Sequence, residues 1–191
     1  MLILGAVLAL AQTATTAASG RPPAKPPQES FAGQCLAVAV SSHETPHSRV
    51  SFSAKRILDL QLGALLGSRI RGEHVLNLKL YTPKGHLYQQ LDVPFRGGSA
   101  SATAETAAAS TVSETGQRTR RVEGYPQPMA EQELVAARTA TGQRAYRVAA
   151  HLPVAGTSIT TSSLYGKWKV VPFIDESPKP CGAATAFSIT Q

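Results

Sequence analysis

The sequence contains no apolar run approaching the roughly 20 residues that a membrane-spanning helix requires, so no membrane span is expected. It also lacks a Gly-x-Ser-x-Gly elbow, a P-loop and a strand-linked Gly-x-Gly-x-x-Gly. Those absences remove the common hydrolase, nucleotide-hydrolysing and dinucleotide-binding readings. Acidic residues are few, 12 against 19 basic ones. Asp59, Asp92 and Asp175 fall on or beside expected strands, and no two acids are placed locally for acid–base work. Basic residues are scattered apart from Arg118, Arg120 and Arg121, with no interleaved aromatics, so a nucleic-acid module lacks its usual footprint and no nucleic-acid partner is expected. The net charge of +7 favours anionic envelope polymers or lipid head groups, and a solvated basic surface is the plainer account of it.

What is present at the start is a secretory pattern. Leu2 to Leu10 is apolar or small throughout, no charge appears before Arg21, and Ala9 and Ala11 have the small-x-small spacing read by a signal peptidase. A signal peptide over 1–11 is expected, with Ala18 as a second cleavage choice and a Pro-rich linker over 12–30 (RPPAKPPQE). No cysteine lies near the cleavage site, which argues against a lipoprotein. The two cysteines, Cys35 and Cys181, flank the rest of the chain, and an even pair in an exported protein reads as one disulfide. Closing so long a loop sets an upper bound of about 5 kcal/mol on its entropic stabilisation. Export to the periplasm, cell surface or extracellular space is the expectation.

Most of the remainder alternates like strands. Cys35–Val40 is a short apolar run; Val50 and Phe52, and Leu76, Leu78 and Leu80, alternate with polar residues. Leu58, Leu60 and Leu62 alternate as well, but Leu58, Leu62, Leu65 and Leu66 also fit a helical face. Thr82-Pro83-Lys84-Gly85 carries β-turn chemistry and predicts a hairpin into Leu87–Phe95, where Leu87, Leu91, Val93 and Phe95 share a face and Pro94 suggests an edge. Tyr146, Val148, Ala150 and Leu152 share another face. In KWKVVPFID, Trp168, Val170 and Ile174 oppose Val171 and Phe173, which reads as a central strand despite Pro172. ATAFSIT closes the set. Gly97 to about Pro128 is a low-complexity, disordered insertion by composition. MAEQELVAARTA after it could form one short helix, with Glu131 and Glu133 early and Arg138 late. The expected fold is mainly β, a single immunoglobulin-like β-sandwich of seven or eight strands. It is split into 31–96 and 129–191 around a 97–128 insertion, with at most one short helix.

Leu164-Tyr165-Gly166-Lys167-Trp168-Lys169-Val170, then Asp175, then Phe187-Ser188-Ile189, resembles the last two strands of bacterial immunoglobulin-like or fibronectin-like domains. That resemblance covers about the last 30 residues and implies a β-sandwich, a fold that serves many functions.

One string suggests chemistry. His43-Glu44-Thr45-Pro46-His47 satisfies H-E-x-x-H, in which two histidines on one helical face hold zinc beside a general-base glutamate. Pro46 removes a backbone donor and pushes Thr45 out of the helical region, so a polar turn is the better account. His74, His86 and His151 are expected at the solvated rim, and Trp168 in the core. The functional expectation is an exported, non-enzymatic binding or structural module of the cell envelope without a cofactor, its partner an anionic envelope polymer or another envelope protein. The alternatives are an accessory subunit of a surface or secretion assembly, and a zinc hydrolase using His43, Glu44 and His47.

Overall fold

A computed structural model describes residues 30–43, 48–98, 110–112 and 118–191, with the backbone alone at 110–112. The expected signal peptide and nearly all of the linker lie outside these residues. In chain order the strands are β1 (Cys35–Ser41), β2 (Ser51–Ser53), β3 (Asp59–Gly67), β4 (Gly72–Tyr81), β5 (Leu87–Gly97) and β6 (Ser110–Val112). They continue as β7 (Arg118–Arg120), β8 (Met129–Ala130), β9 (Val135–Arg138), β10 (Arg144–Pro153), β11 (Gly166–Ile174) and β12 (Thr185–Thr190), with a four-residue helix α1 (Ser158–Thr161) after β10. The mainly-β expectation holds. Twelve strands stand among the described residues instead of seven or eight, and the surplus consists of short pairings that carry little apolar alternation.

The strands form one sheet in the order β1-β3-β10-β9, a second in the order β2-β12-β11-β4-β5, and a small third of β6-β7-β8. Neighbours are antiparallel except β2 and β12. In β3, Leu60, Leu62, Ala64 and Leu66 are buried at period two, whereas Leu58, which a helical face required, is 76% exposed. Pairing to β1 and β10 on both edges satisfies the β3 backbone and decides for strand. Leu76, Leu78 and Leu80 of β4 are fully buried, and the turn into β5 closes through a Gly85 N–H to Thr82 carbonyl bond of 2.9 Å. Gly85 has φ +84°, the left-handed region glycine supplies at no steric cost. Val93 and Phe95 of β5 are buried as expected, but Leu87 is 56% exposed because a register shift at Leu80/Tyr81 turns it out.

β11 is the central strand of the second sheet. Its pairing to β12 stops at Val170, while β4 pairs with it through Ile174. Pro172 fits because its carbonyl accepts from Cys181 N–H at 3.0 Å on the side away from β4. A strand residue directs its N–H and C=O to the same side, so no ladder bond to β4 is lost. Apolar residues of both larger sheets join in one cluster. Trp168 anchors it: its indole N–H donates to the Leu164 carbonyl at 2.9 Å, and Tyr88 and Phe187 pack on the ring.

Two expectations fail. Residues 129–140 do not form a helix. Gln132 N–H donates to the Pro94 carbonyl at 2.8 Å, and the Gln132 side chain brackets the backbone of Ala149 at 2.7 and 2.9 Å. Val135–Arg138 then pairs with β10, so bonds to two sheets replace those a helix would make internally. The expected disorder does not extend through 118–128, because Arg118–Arg120 pairs with its neighbours as β7 and Val122 is buried. Residues 99–109 and 113–117 of that insertion lie outside the described part.

Cys35 and Cys181 are disulfide-bonded, with Cα atoms 5.0 Å apart, and Cys35 N–H donates to the Cys181 carbonyl at 2.9 Å. The bond ties β1 of the first sheet to the β11–β12 connection of the second. The two backbones approach so closely that a Cβ on Gly182 would lie 2.1 Å from the Cys35 carbonyl oxygen. Gly182→Ala is therefore expected to lower stability by roughly 1–3 kcal/mol, as overpacking does. Denaturant unfolding of the oxidised protein checks this, and an unchanged midpoint would contradict the close approach.

Candidate functional site

Alternation along β4 places His74 on the same face as Leu76, Leu78 and Leu80, at the end of that row. It was expected at the solvated rim, yet it is only 8% exposed, with the rings of Phe31 and Phe95 centred 5.1 and 5.7 Å away. Nδ1 lies 2.6 Å from Asp175 Oδ2, and Nε2 lies 2.6 Å from the Arg71 carbonyl oxygen. A backbone carbonyl and a carboxylate both favour the protonated ring. Burial opposes that charge and a nearby Arg120 adds to the opposition. The hydrogen bonds to Asp175 and Arg71 and the Asp175 charge outweigh both, and the His74 pKa is raised.

The pair holds a strained turn. Asp175 and Glu176 have φ of +50° and +54°, conformations that favour glycine. Asp175 N–H donates to the Val75 carbonyl at 2.9 Å, Asp175 Oδ1 accepts from Val75 N–H at 2.8 Å, and Glu176 N–H donates to Asn77 Oδ1 at 3.0 Å. Both ring nitrogens are thus engaged within the fold. The role of His74 here is to position the turn that leads to Cys181.

The remaining expected site residues do not converge. His43 is exposed in a bend after β1, while Glu44 and His47 lie outside the described residues. His86 is exposed, and His151 is exposed with Nδ1 3.4 Å from Asp59 Oδ2. Among the described residues no three His, Cys, Asp or Glu side chains group as metal ligands. No described helix is long and apolar enough to cross a membrane.

The outward face of the second sheet gathers the cations that the sequence scatters. Lys167, Lys169, Val171 and Phe173 of β11 alternate with the buried row, and Lys79 and Tyr81 of β4 lie on the adjacent strand. Lys169 Nζ sits 4.8 Å from the Tyr81 ring centre, and Lys79 Nζ sits 4.6 Å from that of Phe173. Each ammonium is thus held over an aromatic face, where the ring quadrupole attracts it. Among the described residues none of these three lysines is in an ion pair. Asp92 of β5, which pairs with Asn77 on β4, accepts from Asn77 and Gln90, both at 2.8 Å. The Tyr125 hydroxyl bonds to it as well, its pKa raised first by burial and then by the Asp92 charge and hydrogen bond. The placement of Lys167 and Lys169 beside Lys79 comes from the β4–β11 pairing, which a linear pattern does not reveal.

The chain matches no protein-family model, no curated protein and no solved structure.

The raised His74 pKa sets a direction with pH. Its contribution to stability is fully present below the ordinary histidine value of 6.5 and is lost as pH rises through the higher folded value. Unfolding free energies measured upward from there should fall for the native protein and flatten in His74→Gln. An equal fall in both would show that the pair does not govern it.

Proposed function

We propose that the two larger sheets form a single immunoglobulin-like β-sandwich, and that the protein is an exported, non-enzymatic module of the cell envelope. It binds an anionic envelope polymer through the outward face of the second sheet. The observation that carries this reading is the pair of lysines, Lys79 and Lys169, held over Phe173 and Tyr81 and without acidic partners among the described residues. An extended polyanion presents charge along a line, and a flat sheet face with Lys167 and Lys169 two residues apart presents cations the same way. The net charge of +7 draws such a ligand towards the protein.

Export is supported by the apolar, small-residue start of the chain and by the disulfide, since such bonds persist in oxidising compartments. A binding role without catalysis is supported by His74, whose two nitrogens are both engaged. The sandwich reading is supported by the core common to both sheets, with Trp168 opposite Phe187 on the strands that resemble immunoglobulin-like domains.

Co-sedimentation with isolated cell envelopes tests the function. Binding should weaken steeply with salt, and Lys79→Gln with Lys169→Gln should weaken it by about 2 kcal/mol, roughly 30-fold, at about 1 kcal/mol per cation. Binding that ignores both salt and the double substitution would overturn the reading.

A further inference from the structure

The sheet edges are treated unequally. On the outer side of β1, the Val40 carbonyl accepts from Arg49 N–H, the Val38 carbonyl accepts from the Thr185 hydroxyl, and Cys35 N–H donates to Cys181. The outer side of β5 is met by Gln132, whose N–H donates to the Pro94 carbonyl. β9, at the far end of the first sheet, pairs with β10 alone, and among the described residues nothing bonds to the backbone of its other edge. Val135 at its start is 62% exposed. An open edge with an exposed apolar residue is a template for another strand.

The charges beside that edge are arranged at a cost. Arg138 of β9 and Arg144 of β10 are direct partners across the ladder, an opposition of like charges that destabilises a sheet. Neither is in an ion pair among the described residues, and Arg138 makes one bond, to the Gly142 carbonyl at 3.0 Å. Both line an open cavity of about 560 Å³ together with Ser68, Ala136, Ala137, Ala145 and Tyr146. Small alanine side chains let another backbone approach closely, and guanidinium groups fit carboxylates through paired N–H donors.

We propose that the β9 edge is a docking site for an extended segment of a partner protein that carries carboxylates. The segment adds as a further strand beside β9, and acidic side chains on its outward face meet Arg138, with Arg144 one strand further in. Backbone bonds along the edge supply affinity, and the two arginines select for acidic side chains. This surface is separate from the lysine face of the second sheet, so the inference stands or falls independently of polymer binding.

The test uses the full chain and three short synthetic peptides of alternating Thr and Val. One carries Glu at every other position, the second Lys at those positions, and the third is the Glu peptide N-methylated on alternate residues. Titration followed by fluorescence anisotropy should show the Glu peptide binding at least about tenfold tighter than the other two. Arg138→Glu with Arg144→Glu should lose binding by a similar factor while keeping the native circular dichroism, since both side chains are exposed. Equal binding of the N-methylated peptide, undiminished binding by the double arginine variant, or no binding of the Glu peptide at all would overturn the proposal.

Discussion

The bond between Cys35 and Cys181 is the constraint on which the rest of the molecule leans. It joins the first strand of one sheet to the connection between the last two strands of the other, close to both ends of the described chain. The junction is more than two sulfurs. Cys35 N–H meets the Cys181 carbonyl, Cys181 N–H meets the Pro172 carbonyl, and Gly182 lies where a side chain would strike Cys35. The chain from Ile174 to Cys181 begins with the turn that His74 and Asn77 hold in place through Asp175 and Glu176. Covalent, backbone and ionic restraints therefore act on one short connection.

With that connection fixed, buried residues from both larger sheets join in one cluster. The buried row on β11, Trp168, Val170 and Ile174, forces Lys167, Lys169, Val171 and Phe173 to the opposite side. Cation placement on the outward face is thus a consequence of core packing. The ammonium groups of Lys79 and Lys169 rest over the two rings on that outward face. The same logic leaves β9 as an edge: Gln132 bridges the β5 and β10 backbones, and the four residues from Val135 then close the first sheet.

Local chemistry made much of the fold legible. The leucine row of β4, the Pro-Gly turn after it, the two-faced β11 and the paired cysteines all declare themselves within a few residues or by count alone. What escaped depends on distant partners. Residues 129–140 carry a composition suited to a helix, and only bonds to Pro94, Ala149 and β10 draw them into extended structure. His74 looked like a rim histidine because its acid partner, Asp175, is 101 residues away in the chain. Arg118–Arg120 read as part of a low-complexity stretch because a three-residue strand has too little alternation to register. The lysine face and the Arg138–Arg144 opposition are products of strand pairing, which a linear pattern does not reveal.

Hydrogen exchange of the full chain, oxidised and then reduced, tests most directly whether one covalent junction holds both sheets on a common core. Reduction should raise exchange together along β1, β11 and β12, on both sides of the junction, because opening it frees strands of each sheet at once. Loosening confined to the amides next to Cys35 and Cys181, with β11 and β12 as protected as before, would contradict the account.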